Sequence, residues 1–410
     1  MSQNTLSGTN IIITWIYLPE PKTLSQYFNS NDLIELSKVC KKYRNQLKSQ
    51  VLRTITIPQD CGKLYDSGPS FSKYTFDYIM DYMKRDLFNN THLVKEIMFQ
   101  HCLTVQLTKD IFALFPKISR ITISNRNHSL KALAEVLYDS NYLEHITLRA
   151  NSKAYVSLSS KFTKFFKNLK SVKLIVFPEV FSDTLQFDII DSSFSNLRYL
   201  TIANNSMLTK LSNGFPSLVF VEFTEHYLFE KAELLKFIIN NPQLKKLTIA
   251  TDSLNCKITN SILRSNSLHE LHLTKNTGYN EIDFTNCTEN LNIKHLKYSG
   301  LIYNEIVIGI VKACKNLEAF EMCKSSYRCL AQFRKIEKLL QTHTLLISYS
   351  DNACNISSFL SKLTKINNIK FINGCKLGEI VDKLQEYDNN KWVPKQAYSM
   401  YTDEFTLVRR

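Results

Sequence analysis

The 410-residue sequence predicts an α/β solenoid. It is expected to be an open, curved horseshoe with parallel strands on the concave face and helices and turns on the convex face, preceded by a small all-α module. Three observations predict it. A six-residue apolar pattern recurs along most of the chain at nearly constant spacing. Glycine and proline are scarce, nine of each, which leaves little chain for flexible linkers. Residues 11–57 break the period and carry apolar residues at helical steps instead.

The pattern is L-x-x-L-x-L with other large apolar residues allowed, as in Leu143–Leu148 (LEHITL), Leu197–Ile202 (LRYLTI), Leu244–Ile249 (LKKLTI) and Leu268–Leu273 (LHELHL). Copies start at 94, 118, 143, 169, 197, 218, 244, 268, 293, 317, 342 and 366, so the intervals run from 21 to 28 residues. That period of about 25 falls in the range of leucine-rich repeats, roughly 20–29 residues. Positions 1, 4 and 6 are expected to point inward and positions 3 and 5 outward, because side chains alternate along a strand. A lone unit leaves its core half bare, so neighbours must stack. The array resembles the irregular, ribonuclease-inhibitor-like class of leucine-rich repeats, with about 12–13 units over residues 51–375.

Between the strands, Ser129–Tyr138, Lys231–Ile239 and Glu305–Cys314 have the apolar spacing of amphipathic helices. Ala203–Pro216 is rich in Asn, Ser and Gly and reads as turns or a single 3₁₀ turn. Asn or Cys often follows the strand (Cys102, Asn151, Asn205, Asn276), where a buried amide can satisfy the neighbouring turn. A helix over Tyr74–Phe88 and a closing helix over Leu377–Tyr387 are expected, with residues 376–410 forming a C-terminal cap and tail.

In the segment 31–47 (NDLIELSKVCKKYRNQL), Asp32 can cap a helix whose apolar stripe is Leu33, Leu36, Val39, Cys40, Tyr43 and Leu47. One helix or two short ones fit. Leu18-Pro19, Asp32-Leu33, Leu36-Ser37, Val39-Cys40 and Lys42-Tyr43-Arg44 follow one another as in an F-box, which residues 11–50 resemble; Tyr43 stands where that family commonly has Trp. The whole chain is thus similar to F-box proteins with leucine-rich repeats. The resemblance implies that Leu18, Pro19, Leu33, Leu36, Val39, Cys40 and Tyr43 meet a Skp-type adaptor and, through it, a cullin. The repeats would then hold a protein substrate for ubiquitin transfer. A plain N-terminal cap over the first repeat is the alternative reading of the same residues.

Composition narrows the function classes. Hydrophobic residues make up 44% and charged residues 21%, a globular balance. The ten cysteines include no CxxC pair, which fits reduced thiols in the cytoplasm or nucleus rather than disulfides or zinc. The apolar stretch Ile11–Leu18 is short, lacks a basic leader and runs into Pro19 and Pro21, so neither a secretory signal nor a membrane helix is expected. His269-Glu270-Leu271-His272 lacks the HExxH spacing of a metalloprotease helix, and Cys323 or Cys329 with His343 is a chance pairing. No phosphate loop or dinucleotide fingerprint is present, so no enzyme, cofactor or metal is expected.

The net charge of +14 suggests attraction to an acidic partner, although the lysines are scattered, no run of five basic residues occurs, and a solvated basic surface is the preferred reading. The concave face is expected to offer Arg120, His145, Arg149 and Lys173, then Phe220 and Glu222, then Lys246, His272, His295 and Lys297. That order predicts two basic regions flanking an acidic-aromatic one, suited to an acidic or phosphorylated peptide. The reading is non-catalytic protein recognition, through an adaptor or directly as a scaffold or inhibitor. An RNA-binding solenoid ranks last, because no interleaving of basic and aromatic residues is visible along the sequence.

Overall fold

The structure is a computed structural model. It describes residues 30–57, 73–100, 105–124, 142–150, 167–176, 190–224, 228–274, 284, 287–299, 305–323, 337, 340, 342, 344–348, 363, 365–372, 392–394 and 404–409. Contacts divide the chain into two compact units, residues 1–101 with 106–122, and residues 102–105 with 123–410.

The first unit opens with α1 (Ser30–Val39) and α2 (Lys41–Val51). The stripe expected over Asn31–Leu47 makes two helices because Cys40 is extended, at φ −154° and ψ 161°, and starts a new one. Its Sγ accepts the Tyr43 N–H at 3.5 Å, an N-cap that replaces one missing backbone partner. Asp32 lies inside the first turn of α1, where a carboxylate favours the helix dipole. Leu33, Tyr43 and Leu47 are buried together, with Leu36, Cys40 and Val51 packed against them. Next come β1 (Thr54–Ile57), α3 (Lys73–Leu87), β2 (Glu96–Phe99), α4 (Val105–Leu114) and β3 (Arg120–Ile123). The helix expected at Tyr74–Phe88 is therefore α3, within one residue at either end. Strand β1 pairs with β2 in parallel, from Thr54 opposite Glu96 to Ile57 opposite Phe99.

In the second unit each copy of the pattern makes one strand. These are β4 (His145–Ala150), β5 (Ser171–Val176), β6 (Tyr199–Ile202), β7 (Phe220–Phe223) and β8 (Lys246–Ala250). They continue with β9 (Glu270–Thr274), β10 (His295–Tyr298), β11 (Ala319–Cys323), β12 (Thr344–Ser348) and β13 (Asn368–Ile372). Neighbours in sequence are neighbours in the sheet. All are parallel, and the register joins like positions of successive units, for example Tyr199, Phe220, Lys246, Glu270 and His295. The inward positions behave as the alternation demands: Leu244, Leu247 and Ile249 are buried, as are Leu268, Leu271 and Leu273. Each such side chain contributes about 1.5–3 kcal/mol of burial. The stack fits an α/β leucine-rich-repeat solenoid.

The limbs between strands include α5 (Asn205–Leu211), α6 (Lys231–Asn240), α7 (Cys256–Leu263) and α8 (Glu305–Ala313). Helices α6 and α8 answer the expected amphipathic segments; Ser129–Tyr138 and Leu377–Tyr387 lie outside the described residues. Helix α5 corrects the reading of Ala203–Pro216 as turns. Asn204 caps it, its Oδ1 accepting the Met207 N–H at 2.9 Å, and Met207, Leu208 and Leu211 are buried beneath. The polar residues that suggested a turn start a helix instead.

The asparagine pattern needs a second correction. Asn205 does not sit in a buried ladder; its Oδ1 accepts the Glu230 N–H at 2.8 Å at an exposed site. Cys102, Asn151 and Asn276 lie outside the described residues. The buried amides that bind neighbouring units together precede the strands. Asn241 accepts the Phe215 N–H at 2.7 Å and donates to the Phe237 carbonyl at 2.7 Å. Asn290 donates to the Leu263 carbonyl at 2.7 Å and accepts the Ile293 N–H at 2.7 Å. Each stands three residues before the first apolar position, at Leu244 or Ile293.

After β13 the direction reverses. Strand β15 (Glu404–Arg409) runs antiparallel on β13, and β14 (Trp392–Pro394) runs antiparallel on β15. Trp392 and Leu407 are buried. No helix among the described residues is long and apolar enough to cross a membrane.

Candidate protein-recognition face

Positions 3 and 5 of the units project from the same side of the second unit's sheet. Tyr199, Phe220 and Lys246 occupy adjacent strands in one row, and Glu222, Thr248, His272, Lys297 and Glu321 occupy the other. Phe220 is 39% exposed, a large apolar ring left open to solvent.

The charges of this face are paired. The Lys173 ammonium lies 3.5 Å from the Glu222 carboxylate, reaching past β6 to β7. Lys246 meets Glu270 at 2.5 Å and Lys297 meets Glu321 at 2.7 Å. The Tyr199 hydroxyl donates to Glu222 as well. Burial first, then the neighbouring Glu222 charge, pushes the Tyr199 hydroxyl far above its ordinary pKa. The expectation of two basic regions beside an acidic-aromatic one is therefore corrected. Every lysine that suggested a basic region here has a carboxylate on a nearby strand, so the face is close to charge-balanced. The alternation of Lys and Glu at equivalent positions 21–28 residues apart could not be weighed until the register was known. Half-exposed pairs of this kind contribute under about 1 kcal/mol each.

His272 sits inside this arrangement, its Nε2 2.7 Å from the Ser299 Oγ. Burial, then the ammonium groups of Lys297, Lys246 and Lys173, pushes its pKa down to about 3. A serine beside a histidine resembles a nucleophile and its base. A ring that holds a proton so weakly is a poor base at neutral pH.

The other expected face residues are placed as follows. His145 lies on β4, 3.7 Å from the Glu144 carboxylate, and His295 is exposed on β10. Arg149 belongs to β4, but its side chain is outside the described residues. Arg120 belongs to the first unit's sheet, on β3, 3.8 Å from Glu96. Tyr199, Glu270 and Glu321 are not among the face residues expected from the sequence, although they obey the same positional rule; Ser299 follows at position 7.

The expected adaptor contacts divide differently. Leu33 and Tyr43 are core, Leu36 and Cys40 are half-buried against that core, and Val39 is 69% exposed. Leu18 and Pro19 lie outside the described residues. In α1 and α2 the accessible apolar atoms are therefore concentrated at Val39.

No family model and no curated protein matches the chain. Solved structures do. The yeast complex of Rad7 and Elc1 aligns over 75% of this chain and 87% of its own, at 13% identity and a TM-score of 0.37. The complex of TLR13 with ssRNA13 aligns over 64% of this chain and 41% of its own, at 13% identity and a TM-score of 0.38. At those values the chain is similar to both in outline only.

Proposed function

We propose that this chain is a non-catalytic recognition protein that binds a protein partner across the outward strand face of its second unit. The observation that carries the reading is Phe220, an exposed ring at the middle of rows whose polar neighbours are held by ion pairs. An exposed aromatic anchor ringed by polar groups is how protein interfaces concentrate binding energy. The charge balance of the face favours a partner with its own mixed charges over a phosphorylated peptide, which would have to displace Glu222, Glu270 or Glu321.

We further propose that α1 and α2 dock a Skp-type adaptor of a cullin-based ubiquitin ligase, on the strength of the F-box-like order of residues from Asp32 to Arg44. The chain's own contribution would be positioning and effective concentration. A scaffold or inhibitor without an adaptor is the second reading, favoured by the use of Leu33 and Tyr43 as core.

Affinity capture of the intact chain from its native cell extract tests both, beside Phe220→Asp and Val39→Asp. Both substitutions fall on exposed side chains, and circular dichroism must show each variant folded. An adaptor and cullin recovered with the intact chain and lost with Val39→Asp support the ligase reading; their absence throughout leaves the scaffold. A partner set unchanged by Phe220→Asp overturns the face.

A further inference from the structure

The second residue of each repeat plays a backbone role that the strand face does not use. Its carbonyl accepts two hydrogen bonds from the next repeat. Lys170 O takes the Arg198 and Tyr199 N–H groups, and Arg198 O takes those of Val219 and Phe220. The same doubling repeats at Val219, Lys245, His269 and Lys294, all between 2.8 and 3.2 Å. This ladder sets one such residue immediately before every strand from β5 to β10, in a single row at the strand spacing of roughly 4.8 Å. The row reads Lys170, Arg198, Val219, Lys245, His269, Lys294. All but Val219 are exposed.

Residues scattered at 21- to 28-residue intervals in the sequence thus form one basic stripe. Its two ends are closed by acids: Lys170 pairs with Glu144 at 2.7 Å and Lys294 with Glu318 at 2.6 Å. Among the described residues Arg198 and Lys245, in the middle, have no ion pair. In this they differ from Lys173, Lys246 and Lys297 on the adjoining face.

We infer that this stripe docks a short, extended, acidic segment of the protein partner. The inference rests on the recognition reading above and names the chemistry of its partner. Six strands span roughly 24 Å, the length of about seven extended residues. Glu144 and Glu318 bound that window, so a longer polyanion would run on to carboxylates at either end. A single-stranded nucleic acid fits less well. The stripe holds one arginine and, among the described residues, one exposed ring in the next row, whereas such sites combine open cationic grooves with several stacking platforms.

Fluorescence anisotropy on the full chain tests this with two labelled probes, deca-glutamate and deca-uridylate, at about 50 mM salt, where exposed charges are weakly screened. The folded wild type is expected to bind deca-glutamate more tightly than deca-uridylate. Arg198→Glu/Lys245→Glu is expected to weaken deca-glutamate about tenfold or more. Lys231→Glu/Lys236→Glu, on the exposed side of α6, is expected to change it little. No binding of deca-glutamate by folded wild type, or equal losses in the two double variants, overturns the stripe. Tighter, stripe-dependent binding of deca-uridylate overturns it too and makes the row a nucleic-acid site. The Phe220→Asp capture reads the face separately: lost partners there, with an inert stripe, leave the recognition reading standing.

Discussion

His272 carries the clearest consequence at the scale of one residue. Its ring titrates near 3 in the fold, held down by burial and by Lys297, Lys246 and Lys173, against about 6.5 in an unfolded chain. The folded state therefore favours the neutral ring. Its contribution to stability is fully present above about pH 6.5 and is lost as the pH falls from there toward 3. His272→Gln keeps a polar group near Ser299 but removes the titration. Melting temperatures taken between about pH 7 and pH 5 should fall more for the wild type than for this variant. Equal falls would mean that His272 is better solvated than its surroundings suggest. Sequence pattern could place His272 on the strand face, since its position in LHELHL is outward. It could not show that three lysines from β5, β8 and β10 converge on it, because that convergence depends on register and side-chain reach.

At the scale of the element, capping residues decide where helices begin, and the sequence hints at them ambiguously. Asn204 and Asn255 start α5 and α7, each accepting an N–H three residues on at 2.8–2.9 Å. The same residue type signals a turn just as strongly, which is why Ala203–Pro216 reads as irregular from its sequence. Asn241 has a different role, tying the end of α6 to the turn before β7 through Phe215 and Phe237. Asn241→Ala would leave a buried N–H and a buried carbonyl without partners and is expected to destabilise the protein by about 2–3 kcal/mol. Urea denaturation measures it, and a change within experimental error would show that water replaces the amide. The first two helices teach a related lesson. Their apolar stripe was legible as a stripe, but Leu33 and Tyr43 are used in packing against Leu47, leaving Val39 outside.

For the molecule as a whole, the problem any parallel stack faces is its last edge, where unpaired N–H and C=O groups invite another strand. The second unit meets it by reversing direction. Strand β15 pairs antiparallel along all of β13, from Asn368 opposite Val408 to Ile372 opposite Glu404, and β14 adds a three-residue edge containing Pro394, which cannot donate. Deleting residues 389–410 removes both strands and uncovers Ile369 and Phe371, now buried. The truncated chain is expected to associate at micromolar concentration while the intact chain does not. Light scattering distinguishes the two, and a monodisperse truncated chain would show that this edge is protected by other means.

The sequence by itself determined the repeat, its period, the buried positions and the outward ones. Those follow from the two-residue alternation of a strand and from the need of each unit to cover its neighbour's core, and both are local rules that one strand's residues express. Charge was another matter. Lys173 and Glu222, Lys246 and Glu270, or Arg198 and Lys245 are separated by 24–49 residues, and nothing in the chain between them says which are paired and which are free. Only the tertiary structure decided that, because the parallel register sets residues of different units one strand spacing apart. At that distance a side chain's partner, rather than its own type, fixes what it offers to the outside.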